Sequence, residues 1–352
     1  MVIAPLSGVS KLTTPRTGRA TALHLAVTRS SAVRLSSVVS ALARLGAPQA
    51  FADLGGELAI DPDAPPHIPA QAASSELLTE VIARTDPACV VVAGDGDAVL
   101  EGALTASTLG SPIVRLGAGL RSGDRSEDEE ISRVALDELA TLLFADGEDA
   151  VAQLVSEGIP RERIRCAGST VADAVRRWQF AAARRRIHAD LGIDRRRRYL
   201  LVALGRRESR KRMAEIEAAL AVLGERMQIV ACLPHDAERL REANVIVAPQ
   251  LEYLDFLALE LASGAVLTDS ACVQEETTVL GVPCLTFGHR SERALTLMFG
   301  TNAMLGDDPA EIADLTLGAV AGIPQPIPLW DGSAGRRVAK ELLDWSGTWA
   351  ER

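Results

Sequence analysis

The sequence is poor in aromatic residues and has no excess of positive charge. Phe, Trp and Tyr make up only 3% of the 352 residues, so Ala, Val and Leu have to fill any core. Apolar residues reach 47%, which is enough to build cores for two domains of ordinary size. The net charge of -10 argues against nucleic acid as the main partner, because a phosphate backbone is bound through surplus Lys and Arg. The Arg-rich segment 184–198 contains no aromatic residue, and we interpret it as a solvated linker.

Cysteine pairs, metal-ligand spacings and long apolar runs are also missing. None of the five cysteines forms a C-x-x-C pair, and they resemble small buried hydrophobic residues of a reducing compartment. The cysteines and histidines show no metal-ligand spacing, so we expect neither a metal nor another cofactor. No apolar run reaches the ~18 residues of a membrane span, and the N-terminus lacks the apolar region of a signal peptide. We therefore expect a cytoplasmic protein without a membrane partner, and a mobile tail at residues 1–20.

Short apolar runs alternate with segments of helical periodicity along most of the chain. This pattern predicts βαβ units and a parallel sheet. The strands are expected at residues 23–27, 50–54, 88–93, 112–116, 142–145, 164–166, 199–204, 229–233, 245–247, 265–267 and 283–287. Because the series restarts after the Arg-rich linker, the sequence predicts an α/β protein with two doubly wound Rossmann-like domains. They are expected at residues 21–180 and 181–333, facing a cleft that holds the ligand. A last helix, within residues 334–352, is expected to pack back on the first domain.

One junction in the second half has the features of a phosphate-binding site. The apolar run 265–267 is followed by a Thr-Asp-Ser turn and by a helix that Gly281 should end. Such a junction presents unpaired N–H groups and the positive end of the helix dipole to an anion. Ser270 adds a hydroxyl donor, and the carboxylate of Glu276 suits a diol such as a ribose. A diphosphate joined to a ribose would satisfy both groups. Asp269 and Ser270 are also ordinary helix-cap residues, and the sequence alone leaves that role open.

The chain resembles the non-hydrolysing UDP-N-acetylglucosamine 2-epimerase family in an ordered set of short motifs over most of residues 22–345. The motifs are Gly94-Asp95 and residues 118–124, 129–133, 168–173, 206–209, 253–256, 265–283 and 291–293. The resemblance implies a GT-B-like fold and inversion of carbon 2 of a UDP-linked 2-acetamido sugar. In that reaction a base removes the C2 proton while UDP leaves C1, which gives a glycal. UDP then adds again after reprotonation from the opposite face, so the reaction needs acid/base groups and donors to the diphosphate.

The same resemblance implies roles for twelve residues. Asp95, Glu129 and Arg133 match catalytic positions beside the sugar. The expected substrate-binding residues are Arg29, Arg34, Arg121, Arg207, Ser270, Ala271, Cys272, Glu276 and Arg293.

Several of these residues also have ordinary structural explanations. Asp95 is placed to cap a helix, and Glu129 lies in an acidic run that is typical of a solvated face. Arg133 is spaced to pair with Glu129 on a helix surface. Arg207 belongs to a charged run, and Cys272 suits either a buried position or a reactive thiol at a helix N-terminus.

The chain departs from the family pattern at several positions near the expected site. Gly117 stands where the family has a glutamate, and Gly205 stands where it has a histidine. Glycine performs neither proton transfer nor charge stabilisation. The family's Pro-Glu after the first strand is Ser30-Ser31 here, its lysine there is Arg34, and its glycine pair after Ser270 is Ala271-Cys272.

These features favour an enzyme, a UDP-N-acetylglucosamine 2-epimerase that forms the manno isomer. We expect a bacterial homodimer that serves aminosugar natural-product or polysaccharide biosynthesis. The two glycines keep two alternatives open: a UDP-sugar-binding homologue that has lost the chemistry, and a hydrolase that releases UDP. A glycosyltransferase is supported by fold analogy alone.

Overall fold

The computed structural model describes residues 22–26, 28–53, 75–235, 237–317 and 324–350. The tail predicted at residues 1–20 lies outside these ranges. The chain divides into two compact units, of which unit 1 is Met1–Ala174 with Pro328–Arg352 and unit 2 is Val175–Ile327.

Each unit contains a parallel six-stranded sheet in the described part of the chain. The strands of unit 1 are β1 (Ala22–Ala26), β2 (Gln49–Asp53), β3 (Val90–Ala93), β4 (Ile113–Ala118), β5 (Leu142–Ala145) and β6 (Ile164–Cys166). Those of unit 2 are β7 (Tyr199–Ala203), β8 (Gln228–Cys232), β9 (Ile246–Val247), β10 (Ala265–Thr268), β11 (Cys284–Phe287) and β12 (Asn302–Gly306). The spatial orders are β2-β1-β3-β4-β5-β6 and β12-β11-β10-β7-β8-β9. The strand order therefore reverses between β1 and β3 in unit 1 and between β7 and β10 in unit 2, and ligands of such sheets bind at the carboxyl side of this reversal.

Helices connect the strands. They are α1 (Arg29–Arg44), α2 (Ser75–Thr85), α3 (Asp97–Thr108), α4 (Asp128–Leu139), α5 (Glu148–Ser156), α6 (Thr170–Ala182), α7 (Ile187–Asp190), α8 (Arg207–Lys211), α9 (Met213–Gly224), α10 (Glu238–Glu242), α11 (Tyr253–Ala262), α12 (Ala271–Leu280), α13 (Ala294–Met298), α14 (Pro309–Ala313) and α15 (Ala334–Ala350). Two parallel sheets with helices between their strands confirm the predicted fold class.

The core of unit 1 lies on both faces of its sheet. In β3, the side chains of Val90 and Val92 belong to one buried cluster, and those of Val91 and Ala93 belong to another. Successive side chains of a strand point to opposite faces, so helices have to cover both sides. This explains why the strand is an unbroken apolar run, as the sequence suggested.

The five cysteines are free thiols, and three of them are buried: Cys89, Cys272 and Cys284. Burial raises the pKa of Cys89 to about 12, and burial is also the main reason that the pKa of Cys284 rises to about 12. These two thiols therefore behave as small apolar groups at neutral pH, as the sequence indicated.

The C-terminal helix α15 packs closely on α1 within unit 1. Val338, Ala339 and Leu342 of α15 share a buried cluster with Leu35 and Val38 of α1. The helix begins next to Asp173, whose carboxylate accepts the N–H groups of Ala334 and Gly335 at 3.2 and 2.8 Å. These contacts fix where α15 begins.

Gly335 of α15 lies against the backbone of Ser37 in α1, and Gly335→Ala is expected to destabilise unit 1 by about 1–3 kcal/mol. A Cβ atom at this position would lie 2.6 Å from the backbone carbon and oxygen of Ser37. Backbone atoms cannot move aside as a flexible side chain can, so overpacking should outweigh the gain of roughly 1 kcal/mol that alanine normally brings to a helix. Urea unfolding measures the difference.

The exposed residue Lys340 on the same helix provides the control, because Lys340→Ala removes no buried contact. It should leave stability within about 0.5 kcal/mol of the wild type. An alanine at position 335 that is neutral or stabilising would contradict the close approach of α15 to α1.

Candidate active site

The reversal point of unit 1 brings the loop after β3 next to the start of α1. A Cβ atom on Gly94 would lie 3.8 Å from both Thr28 and Ser31. Thr28 caps α1, and its side chain accepts the N–H of Ser31 at 3.2 Å. Asp95 follows Gly94 directly and therefore stands at the carboxyl edge of the sheet, where a parallel sheet binds its ligands.

Arg133 in α4 is the centre of a cluster of charges at this edge. Its side chain is only 2% exposed, and Nη1 lies 2.5 Å from Oδ2 of Asp95. Nε lies 3.0 Å from Glu130 and Nη2 lies 3.5 Å from Glu127. The carboxylate of Asp95 is 31% exposed, so a buried cation holds a carboxylate that solvent can reach. Glu129, the third predicted catalytic residue, precedes Glu130 on α4 and is half-buried.

Glu130 connects this cluster to the loop after β4. Its carboxylate accepts the N–H groups of Ser122 and Gly123, both at 3.0 Å, and also pairs with Arg133. Glu130 is itself buried, and no feature of the sequence distinguishes it from its neighbour Glu129. The glutamate that points inward is set by the rotation of α4 about its axis.

Arg121, predicted to bind substrate, is held by two carboxylates of unit 1. Its guanidinium lies 2.8 Å from Asp137 and 2.6 Å from Glu157. Burial alone lowers the pKa of Arg121, but the hydrogen bonds and charges of Glu157 and Asp137 outweigh it, so the pKa lies above its ordinary value. Asp137 also accepts the N–H of Gly119 at 2.9 Å. Arg121 thus fixes the loop after β4 in this structure.

Arg34 in α1 pairs with the carboxylate of Asp146, which was not among the residues predicted from the sequence. Nη1 of Arg34 lies 2.9 Å from Oδ2 of Asp146, and the two side chains are 3% and 5% exposed. Asp146 directly follows β5, so it occupies the same edge of the sheet as Asp95. A single aspartate after an apolar run was the only signal in the sequence. The side chain of Arg29, at the start of α1, lies outside the described part of the structure.

The predicted phosphate-binding junction lies at the reversal point of unit 2. Ser270 is the N-cap of α12, and Gly281 ends this helix in the left-handed conformation at φ 72°, as predicted. Within the part of the chain that the structure describes, the Ser270 side chain makes no capping hydrogen bond. Asp269 is engaged elsewhere, because its carboxylate accepts the N–H of Gly205 at 2.9 Å and that of Arg206 at 2.8 Å. The capping role that the sequence left open therefore does not account for these two side chains.

Two ion pairs surround this junction. Nε of Arg293 lies 2.9 Å from Glu275, a fully buried carboxylate of α12, and Arg206 pairs with Glu292. Each arginine comes from a loop that follows a strand of unit 2, so the pairs gather these loops around the N-terminal part of α12.

The remaining predicted residues of unit 2 lie on α12 or beside it. Ala271 is half-buried, whereas Cys272 and Glu276 are buried at 4% and 0% exposure. The side chain of Arg207, the first residue of α8, lies outside the described part of the structure.

A buried polar network that the sequence did not reveal positions the loop of Arg293. Oε1 of Gln274 in α12 accepts from the hydroxyl of Ser291 at 2.6 Å and from Nδ2 of Asn302 at 3.2 Å. Ser291 in turn accepts the N–H of Arg293 at 3.0 Å, and Asn302 also donates to Thr296 at 3.0 Å. Buried polar groups with complete hydrogen bonding hold a backbone rigidly. The network therefore fixes the loop that carries Glu292 and Arg293.

The two glycines that replace family side chains differ in their surroundings. Gly205 has nothing within 4 Å of an added Cβ atom. Gly117 has φ +69°, and an added Cβ atom would lie 3.1 Å from Nη1 of Arg34. Position 205 is therefore open to a side chain, and position 117 is not.

In the described ranges, no group of three or more His, Cys, Asp or Glu side chains has an arrangement that could hold a metal ion. Among the helices that the structure describes, none is both long and apolar enough to cross a membrane.

Two doubly wound parallel sheets, each with polar groups at its reversal point, define a GT-B-like α/β protein. The solved UDP-N-acetylglucosamine 2-epimerase from Rickettsia bellii has this fold, with a TM-score of 0.80, 19% identity and coverage of 94% of this chain and 98% of that one. A UDP-GlcNAc 2-epimerase from Methanocaldococcus jannaschii, solved in complex with UDP-GlcNAc and UDP, gives a TM-score of 0.78 at 26% identity, covering 92% and 99% of the two chains. Because the identity is only 19%, the similarity to the Rickettsia bellii protein shows the fold alone.

Sequence comparison identifies the family. The family model for UDP-N-acetylglucosamine 2-epimerase matches residues 68–343. The Methanocaldococcus jannaschii UDP-N-acetylglucosamine 2-epimerase is 32% identical over 289 residues, which is 75% of this chain and 78% of the relative. The UDP-2,3-diacetamido-2,3-dideoxy-D-glucuronate 2-epimerase of Pseudomonas aeruginosa is also 32% identical, over 278 residues, 75% and 77% of the two chains. The chain belongs to the UDP-N-acetylglucosamine 2-epimerase family, as the motifs indicated.

Proposed function

We propose that this chain is an epimerase that interconverts UDP-N-acetylglucosamine and its manno isomer. The observation that carries the proposal is the Asp95–Arg133 pair, in which a partly exposed carboxylate at the ligand-binding edge of unit 1 is held by a buried cation. A protein that only bound the nucleotide would not need a carboxylate fixed in this way. Proton transfer from carbon does need one, because the base has to be aligned with the C–H bond.

The chemistry divides between the two units in this proposal. In unit 1, Asp95 and Glu129 act as acid/base carboxylates beside the sugar, and Arg133 keeps Asp95 in position. In unit 2, the N–H groups at the start of α12 and the cations of Arg206 and Arg293 receive the diphosphate as it leaves C1, and Glu276 binds the ribose. Donors that strengthen as charge develops on the leaving group lower the barrier.

The proposal is tested by incubating the purified chain with UDP-N-acetylglucosamine in heavy water. Elimination and re-addition should produce the manno isomer and place deuterium at C2, both of which proton NMR detects. Accumulation of free UDP and free sugar would identify a hydrolase instead. Calorimetric binding of the UDP sugar without isomer or deuterium would identify a binding homologue.

The identity of the sugar requires a panel of substrates. Two relatives with the same 32% identity are named for different UDP sugars, one of which is a diacetamido glucuronate. The heavy-water experiment should therefore include both, and the larger kcat/KM assigns the substrate. The homodimer, the cytoplasmic location and a role in aminosugar natural-product or polysaccharide biosynthesis stay predictions from the sequence.

A further inference from the structure

A side chain at position 117, where this chain has glycine, would point at the buried ion pair of Arg34 and Asp146. An added Cβ atom would lie 3.1 Å from Nη1 of Arg34 and 3.6 Å from Oδ2 of Asp146. The space into which a side chain at position 117 would extend is therefore already filled by a guanidinium and a carboxylate. Gly117 is also in the left-handed region, at φ +69°, where glycine is the favoured residue.

Removing two charged side chains from water costs free energy, so stability alone does not explain why this ion pair is buried. Both side chains are 5% exposed or less, and apolar residues of similar volume are often as stabilising as a buried ion pair. The backbone of Asp146 is anchored as well, because its carbonyl accepts Nε1–H of Trp330 at 3.1 Å. A carboxylate held at both its backbone and its side chain has a fixed direction.

Asp146 and Asp95 occupy corresponding positions at the carboxyl edge of the sheet. It follows β5 as Asp95 follows β3, and β4, which ends just beyond Gly117, lies between these two strands in the sheet. Arg115 of β4 donates to the carbonyl oxygen of Gly94, next to Asp95. The two carboxylates thus stand on the same edge of unit 1, on either side of the strand that carries Gly117.

We propose that Asp146, oriented by Arg34, supplies the acid/base carboxylate that residue 117 cannot supply. The inference rests on the proposed epimerase function. In the elimination step Asp146 takes the proton from C2 on one face of the sugar. The electron pair of the broken C–H bond forms the C1=C2 double bond, and the electron pair of the C1–O bond leaves with UDP. UDP then adds to C1 through an oxygen lone pair, and the electron pair of the C1=C2 bond takes a proton at C2 from Asp95 or Glu129 on the opposite face, which inverts this carbon.

The test compares Asp146→Asn with the wild type using UDP-N-acetylglucosamine and UDP as probes. We expect kcat to fall about 10²–10⁴-fold, as for loss of a general acid/base group, with C2 deuterium exchange lost to the same extent. Calorimetric affinity for UDP should stay within about twofold, and affinity for the UDP sugar should fall roughly 2–10-fold through loss of a sugar contact. Formate added to Asp146→Ala should restore part of kcat, because it can occupy the gap beside Arg34.

The matched control is Asp173→Asn, which changes another buried carboxylate of unit 1, one that caps α15. Circular dichroism establishes that both variants are folded. The control should keep kcat within about threefold, and its alanine variant should not respond to formate. An active wild type with an Asp146→Asn variant that keeps kcat within threefold would overturn the inference.

An inactive wild type would overturn the proposed function and, with it, the acid/base role of Asp146, but it would leave open whether Asp146 contacts the sugar. In that case the calorimetric comparison decides, because a carboxylate on the sugar side affects UDP-N-acetylglucosamine and not UDP. Equal affinity of the wild type and Asp146→Asn for the UDP sugar would then exclude Asp146 as a sugar contact.

Discussion

Arg133→Met is expected to destabilise unit 1 by about 3–5 kcal/mol and to eliminate epimerase activity. The substitution keeps most of the side-chain volume but removes the cation between Glu130 and Asp95, which lie 3.0 and 2.5 Å from the guanidinium. Glu130 is 3% exposed and would remain in the interior as an anion without its counter-ion. Its two backbone donors, Ser122 and Gly123, offset part of this penalty, so the lower end of the range is the closer expectation.

Urea unfolding measures the stability, and the heavy-water assay measures the activity of the folded fraction. Arg165→Met is the matched control, because Arg165 pairs with Glu341 at 2.9 Å but the two side chains are 38% and 45% exposed. An exposed pair of this kind contributes about 0–1 kcal/mol. If the two methionine variants lost the same stability, Arg133 would not be acting as the buried counter-ion of the cluster.

The strands of the fold could be predicted where apolar runs are unbroken. Parallel strands that are covered on both faces have no polar side to display, and β3, β5 and β10 are buried along their whole length. The edge strand β12 was missed, because Asn302 opens it and its following residues are only half-buried. A strand at the edge of a sheet carries a weaker apolar signal, since less of it is enclosed.

The parts of the candidate site that depend on consecutive residues could be predicted from the sequence. The turn before α12 and the terminating Gly281 follow from residue types at consecutive positions, so the sequence predicts them directly. The partner of Asp269 did not follow, because Gly205 lies 64 residues away and is joined to it only when β7 and β10 become neighbours. Asp146 was missed for the same reason, since Arg34 is 112 residues away in the chain.

The second substitution with a large expected effect removes the carboxylate of Asp269, which is hydrogen-bonded to the loop after β7. Asp269→Asn is expected to weaken UDP binding about 10–100-fold. The carboxylate accepts the N–H of Gly205 at 2.9 Å and that of Arg206 at 2.8 Å, and it thereby joins the loops on the two sides of the reversal point. Hydrogen bonds to a charged group contribute about 1.5–3 kcal/mol each, and an amide can accept only through its one oxygen. Both N–H groups donate to Oδ2, and only that of Gly205 also contacts Oδ1, at 3.1 Å. In the asparagine variant the N–H of Gly205 would therefore face the NH₂ group and separate from it, and the acceptor of both donors would be uncharged.

This separation should affect binding more than folding, because β7 and β10 remain paired through their own backbone hydrogen bonds. Calorimetry with UDP measures the affinity, and urea unfolding should show a loss of about 1–3 kcal/mol. Asp194→Asn serves as the control in the same unit, since its carboxylate accepts one N–H, from Arg196 at 3.0 Å, in an exposed turn. If UDP bound both variants with wild-type affinity, the reversal point of unit 2 would not be the nucleotide site, because an anion bound by backbone N–H groups depends on the fixed position of the loops that surround them.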